Sequence, residues 1–138
     1  MDLEQIKHDL LSETRLHAEL ARAYAAACAS AAQADHDLKA AEARAYLSVA
    51  AEDEAGGGKK RSEGHRGAIV DSLCELPRLK QRLAEAERDG LKARLEACRS
   101  AVSAFQSVLK VETEEAAMAR YTPRTQGEAY AGAHEAPV

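Results

Sequence analysis

Apolar and polar residues recur at helical spacing through most of this 138-residue chain. From residue 20 onward the apolar positions follow alternating steps of four and three, which is the heptad pattern of a helix that packs along one seam. The seam consists of Leu20, Tyr24, Ala27, Ala31, Ala34, Leu38, Ala41, Ala45 and Ser48. Because residues 16–54 contain neither Gly nor Pro, the pattern predicts one long helix whose inward positions are mostly alanine.

The start of the chain shows a separate pattern. Residues 2–11, DLEQIKHDLL, carry apolar residues at three- and four-residue spacing, which predicts a short amphipathic helix. Ser12 is a suitable helix N-cap and Glu13 suits a first helical turn, while the apolar stripe shifts at this point. We therefore predict a bend or a short connection near residues 11–14.

The second half of the chain predicts a helix that returns along the first one. Gly56, Gly57 and Gly58 end the long helix, and Ser62 is the predicted cap of the next. Pro77 lacks an amide donor and predicts a kink or break there. The Asp89-Gly90 pair predicts a second weak point.

The most hydrophobic heptad series follows this weak point. It consists of Leu91, Leu95, Cys98, Val102, Phe105 and Leu109. Large residues facing small ones fill space well, so we expect this series to pack on the alanine-rich helix. The predicted fold is all-α: a long alanine-rich helix packed on a kinked second helix as an extended helical hairpin or coiled coil. Residues 1–121 form the predicted helical domain, and residues 122–138 a disordered tail.

Composition favours association between copies. Aromatic residues make up only 4% of the chain, and much of its apolar content is alanine, which buries little area. A monomer with such a core is marginal, so we expect a homo-oligomer. The residues predicted to pack within or between copies are Tyr24, Ala27, Ala31, Ala34, Leu38, Leu95, Val102, Phe105 and Leu109.

Charge is unevenly distributed along a chain of net charge −4. Residues 59–99 carry eleven basic and seven acidic residues, whereas the flanking segments are acidic. A basic middle suits phosphates, particularly beside a helix N-terminus, although a solvated charged face is an equally simple interpretation. The candidate DNA-binding residues are Lys39, Arg44, Tyr46, Lys59, Lys60, Arg61 and Arg66.

Catalytic and metal-binding patterns are missing from the sequence. The five histidines are scattered, and none pairs with another at the spacing of HExxH. The three cysteines form no CxxC pair and fit small apolar residues in a reducing cytoplasm. No apolar run reaches the roughly 18 residues of a membrane span. We therefore expect a cytoplasmic protein that is not an enzyme, with no cofactor, metal or membrane partner.

The order of these segments resembles the UvsY family of phage recombination mediators. The resemblance rests on DLEQIKHDLL at residues 2–11, DLKAAEARAYL at residues 37–47 and RSE at residues 61–63, after a glycine-rich break. It implies a ring-like oligomer that binds single-stranded DNA. That oligomer would help to load a RecA-type recombinase onto strands covered by single-strand-binding protein in a phage-infected bacterium. By position, Lys39 and Arg44 would contact DNA, whereas Glu42 replaces a basic residue of the family pattern.

Two functions therefore remain open. The first is an oligomeric recombination mediator that binds single-stranded DNA. The second is a coiled-coil adaptor or phage assembly protein without nucleic-acid binding. Both need the same fold, so the fold does not decide between them.

Overall fold

The computed structural model describes residues 2–57 and 61–135, with the side chains of those up to Arg120. Three helices account for nearly all of this part of the chain: α1 is Leu3–Ala55, α2 is Glu63–Leu73 and α3 is Glu75–Glu135. No strand occurs among the described residues. The prediction of an all-α protein is confirmed.

Helix α1 runs without interruption, so the predicted bend at residues 11–14 is wrong. Its first turn is capped by Asp2, whose Oδ1 accepts a hydrogen bond from the Glu4 amide at 3.2 Å. Glu13 lies seven residues from both Ile6 and Leu20, which are 1% and 5% exposed. The inward stripe therefore continues through a polar residue rather than shifting. The sequence pattern looked broken because this inward position carries a carboxylate.

Glycine ends α1. The Gly56 amide still donates to the Glu52 carbonyl at 3.0 Å, as in a helix. Gly57 then has a φ of 57°, a left-handed conformation that residues with a Cβ adopt at a cost. This conformation releases the chain from the helix axis and starts its reversal toward α2.

The break between α2 and α3 lies at Cys74, three residues before the predicted position at Pro77. Cys74 has φ −102° and ψ 12°, outside the helical region, although its amide still bonds the Val70 carbonyl at 3.0 Å. Pro77 is then the third residue of α3, where an amide has no partner within the helix, so its missing donor costs little. The predicted weak point at Asp89-Gly90 does not interrupt α3.

One compact unit comprises Glu19–Leu95. Its core is a cluster of Leu38, Ala45, Val49, Val70 and Cys74, with Ala41 and Ile69 packed against it. The alanine-rich part of α1 therefore packs on α2 and on Cys74, while Arg78 and Gln81 of α3 reach it through polar contacts. Of the predicted packing residues in this unit, the structure buries Ala27, Ala31 and Leu38 and leaves Tyr24, Ala34 and Leu95 half-buried.

The seam of α1 drifts by one residue near its end. Ser48 was predicted to face inward but is exposed, whereas Val49 is only 2% exposed. A straight α-helix has 3.6 residues per turn and a heptad seam 3.5, so a strict heptad count loses register over several turns. Val49 is also the larger apolar residue, and its burial contributes more than that of Ser48.

The other compact unit comprises Met1–Ala18 and Glu96–Val138. In its described part, Cys98 is 5% exposed and its thiol donates to the Glu13 carbonyl oxygen at 3.3 Å. Val102, Phe105 and Leu109 are half-buried. The later part of the Leu91–Leu109 series thus belongs with the first turns of α1 and not with the alanine-rich part, which corrects our prediction. Antiparallel helices pair residues that lie at similar distances from the connecting turn, so the residues of α3 far from the turn pair with the first turns of α1.

Helix α3 continues through residue 135, past the point near Arg120 where the sequence predicted its end. The division at residue 121 into a helical domain and a disordered tail stays a prediction, and residues 136–138 lie outside the described part. None of the described helices is both long and apolar enough to cross a membrane.

Candidate functional site

An ion cluster joins the end of α1 to the start of α2. The Asp53 carboxylate accepts from Arg61 Nε at 3.0 Å and from Arg66 Nε at 2.7 Å, and the Asp53 side chain is only 5% exposed. Glu52 lies 3.5 Å from Arg61 as well. Two of the predicted DNA-binding arginines are therefore bound to carboxylates of the same unit, and the four charges cancel.

Backbone amides at the N-terminus of α2 also have hydrogen-bond acceptors within the chain. The Ser62 hydroxyl accepts from the His65 amide at 3.2 Å, and the Ser62 carbonyl accepts from the Arg66 amide at 3.0 Å. Ser62 is thus the cap that the sequence predicted. Glu63 occupies the first turn, where its negative charge complements the helix dipole. Lys59 and Lys60, the remaining cations predicted here, lie outside the described residues.

The predicted DNA-binding residues on α1 differ in their surroundings. Lys39 Nζ bonds Asp35 Oδ2 at 2.9 Å. This bond raises the pKa of Lys39 and lowers the pKa of Asp35. Arg44 and Tyr46 are exposed, Tyr46 by 53%. Lys39 is 14 residues from Asp53, which is roughly 21 Å along the helix. The structure therefore does not gather these cations into one patch.

The fold brings a different pair of cations together. Arg44 on α1 and Lys80 on α3 line one groove, together with Ala34, Asp37, Ala41 and Pro77. Asp37 Oδ1 accepts a hydrogen bond from Gln33 Nε2 at 2.8 Å. Within the described part of the chain, the ion pairs involve neither Arg44 nor Lys80. Sequence reasoning missed Lys80, because only the antiparallel pairing of the helices brings it beside Arg44.

Arg78 connects three helices. Its Nη2 donates to Glu42 Oε1 at 3.3 Å and to Asp71 Oδ1 at 3.0 Å. The hydrogen bond to Asp71, followed by that to Glu42, raises the pKa of Arg78. The Glu42 carboxylate thus holds α1 against α3. This role of Glu42 is structural and carries no signal at the sequence level.

A second groove in the same unit has mixed charge. Three acids and two cations line it together with a phenol and a thiol: Asp35, Glu85, Asp89, Arg88, Lys92, Tyr24 and Cys28. The neighbouring Cys28 thiol is the main cause of the raised pKa of Tyr24. Arg88 bonds Asp89 at 3.1 Å, and Gln81 bonds Asp35 at 2.9 Å. These contacts give two of the three acids, Asp35 and Asp89, a partner within the unit.

The thiol of Cys98 lies in the unit formed by the first turns of α1 and the later part of α3. Burial, followed by the hydrogen bond to Glu13, raises the pKa of Cys98. A raised thiol pKa keeps the sulfur protonated and unreactive near neutral pH. Among the described residues, no group of three His, Cys, Asp or Glu side chains is arranged to hold a metal ion. No protein-family model, curated protein or solved structure matches this chain.

Proposed function

We propose that this chain is a non-enzymatic helical protein that acts as a homo-oligomer and binds single-stranded DNA as a recombination mediator. The observation that carries the proposal is the groove in which Arg44 and Lys80 stand with no ion-pair partner among the described residues. Phosphates bind such cations, and the contributions add up with the number of contacts. Copies in an oligomer would repeat the groove along one strand.

The more specific parts of the proposal rest on the sequence resemblance. They are a ring-like oligomer, a RecA-type recombinase and single-strand-binding protein as partners, and the cytoplasm of a phage-infected bacterium as the location. The roles of Lys39 and Tyr46 as DNA contacts belong to the same proposal, as do those of Lys59 and Lys60. Arg61 and Arg66 contribute less than the sequence suggested, because binding DNA through them requires separating them from Asp53.

The test is salt-dependent binding of fluorescent oligo-dT. Arg44→Glu is the informative variant, and Arg22→Glu is its matched control, since both residues are exposed arginines on α1. We expect Arg44→Glu to weaken binding at least tenfold at low salt. The slope of log affinity against log salt should also become shallower by about 0.7 for each phosphate that the variant no longer neutralises. Arg22→Glu should change binding by no more than the uniform effect of net charge.

A second candidate is an adaptor or assembly protein without nucleic-acid binding. It is favoured because three of the candidate DNA-binding cations already form ion pairs within the chain: Arg61 and Arg66 with Asp53, and Lys39 with Asp35. The same experiment separates the two functions. No binding of oligo-dT at low salt, or equally weakened binding in Arg44→Glu and Arg22→Glu, would reject the DNA-binding proposal and favour the adaptor.

A further inference from the structure

Helix α3 carries a second apolar stripe on the face opposite its packed seam. The stripe consists of Leu76, Leu79, Leu83, Ala86, Gly90 and Ala93. These residues follow steps of three and four, as the buried seam does, and this spacing keeps them on one face of the helix. The three leucines are 61%, 52% and 62% exposed, and the three smaller residues are also exposed.

The stripe is graded in size. Its first half is leucine, and its second half is alanine and glycine. The three leucines at successive stripe positions are each more than half exposed, so they leave apolar surface in contact with water. Burial of this surface against a partner would be favourable. At Gly90, an added Cβ would meet no atom within 4 Å, so packing inside the unit does not require the missing side chain. The small residues therefore leave space on this face into which large side chains of another molecule can pack.

We propose that this stripe packs against the same stripe of a second copy, with the two α3 helices antiparallel. The two-fold axis then passes between residues 84 and 85. In this register Leu76 faces Ala93 of the second copy, Leu79 faces Gly90 and Leu83 faces Ala86. Every layer sets a large residue against a small one, which is how close-packed helices fill space. In such a two-fold contact both copies contribute the same surface, so the contact joins two copies and does not propagate into a filament.

Charges beside the stripe favour the same register. Antiparallel helices pair flanking positions across the interface. Here Lys80 faces Glu87 of the second copy and Arg82 faces Asp89, so symmetry gives four attractive pairs. All four residues are exposed in the single chain. The next flanking pair outward, Glu75 with Glu96, is repulsive and lies at the two ends of the contact.

Other arrangements fit less well. Moving the antiparallel register by one heptad in one direction sets Lys80 against Arg94, and Glu87 and Asp89 each against its symmetry copy, with Arg82–Glu96 as the attractive pair that remains. Moving it in the other direction sets Lys80 and Arg82 each against its symmetry copy. A parallel pair sets leucine against leucine at one end and leaves alanine and glycine facing each other at the other end. Charge and size therefore select a single arrangement among those that bury the stripe.

This inference rests on the self-association in the proposed function and does not depend on DNA binding. It adds the surface, the orientation and the register of the contact. Lys80 flanks the stripe and also lines the groove with Arg44, so in the dimer Lys80 pairs with Glu87 of the second copy and Arg44 is the groove cation that remains for phosphate. For this reason the DNA-binding test above leaves Lys80 unchanged and alters Arg44, which is not part of the stripe.

The first test is the pair of variants Gly90→Leu and Gly90→Ala, followed by sedimentation equilibrium at micromolar concentration. Wild type should sediment at twice the 14.8 kDa chain mass or a multiple of that. Leucine at position 90 would clash with Leu79 of the second copy, so we expect Gly90→Leu to sediment at a lower mass. Gly90→Ala should keep the wild-type mass. Both variants should remain helical by circular dichroism, because both residues are better helix formers than glycine.

The second test is a charge exchange at Arg82 and Asp89. Arg82→Asp alone, or Asp89→Arg alone, turns two attractive pairs into two repulsive ones and should raise the dissociation constant about tenfold. The double variant restores attraction and should return the dissociation constant to within about threefold of wild type. A monomeric wild type, a Gly90→Leu variant of unchanged mass or a double variant as weak as the singles would each overturn the antiparallel dimer. A failure of oligo-dT binding would leave these results unaffected.

Discussion

Asp53 is the residue whose replacement should test the end of the helical hairpin most directly. Its carboxylate is 5% exposed and accepts from two guanidinium groups, at 3.0 Å from Arg61 and 2.7 Å from Arg66. Removal of one partner from a buried ion pair costs about 3–5 kcal/mol, since it leaves an uncompensated charge. The arginine side chains are 32% and 27% exposed, so water compensates part of that cost. We expect Asp53→Asn to lower the free energy of unfolding by about 2–4 kcal/mol.

Urea denaturation followed by circular dichroism at 222 nm measures this change. Glu52→Gln is the matched control, because Glu52 is 64% exposed and lies 3.5 Å from Arg61. A contact of that kind contributes at most about 1 kcal/mol. If Asp53→Asn lies within about 0.5 kcal/mol of wild type, then the cluster is solvated and our reasoning about its burial is wrong.

The same variant has a consequence for DNA binding. Asp53→Asn frees Arg61 and Arg66 from their carboxylate. If these arginines belong to the DNA-binding surface, oligo-dT affinity should rise by several-fold while stability falls. Unchanged affinity would mean that the two arginines serve only the fold. Opposite changes in stability and binding are a signature that general unfolding does not produce.

Two further predictions concern the packed interior. Ala45→Leu should overpack the core cluster and lower the free energy of unfolding, measured by urea denaturation, by about 1–3 kcal/mol. Ala43→Leu, on the exposed face of α1, should change the free energy of unfolding by less than about 0.5 kcal/mol. Equal effects of the two variants would contradict the observed seam. In the native protein, Cys28 should react with a thiol reagent well before Cys74 and Cys98, because Cys28 is half-buried and the other two are buried. Simultaneous reaction of all three thiols would show that the interior opens faster than the reagent attacks.

Sequence reasoning succeeded where one local pattern decides the outcome. The absence of Gly and Pro predicted the part of α1 from residue 16 to residue 54, and the glycine run and Ser62 predicted the end of α1 and the N-cap of α2. The inward positions Ala27, Ala31 and Leu38 followed from the heptad count and are buried. Each of these features depends on residues a few positions apart in the chain.

The errors arose where distant residues decide. Glu13 interrupts the apolar stripe in the sequence, yet in the fold this position lies beside Cys98, whose thiol contacts the Glu13 carbonyl and carboxylate oxygens. The break was expected at Pro77 and lies at Cys74, since proline in a first turn removes no hydrogen bond. The predicted DNA-binding cluster contains arginines that Asp53 holds, although acids before a short loop and arginines after it are a recognisable signal for such pairing.

The polar contacts between the helices also determine how α1 is aligned with its neighbours. At Ala27, Ala31, Ala34, Ala41 and Ala45 the side chains are equally small, so packing at these positions distinguishes only weakly between alignments that differ by one heptad. Sliding would break Asp35–Gln81, Glu42–Arg78 and Asp53–Arg66 together, at 2.9, 3.3 and 2.7 Å. These three contacts therefore fix the register of α1 against α2 and α3. A triple variant at Gln81, Arg78 and Arg66 should therefore retain its helical content while its helices sample several alignments.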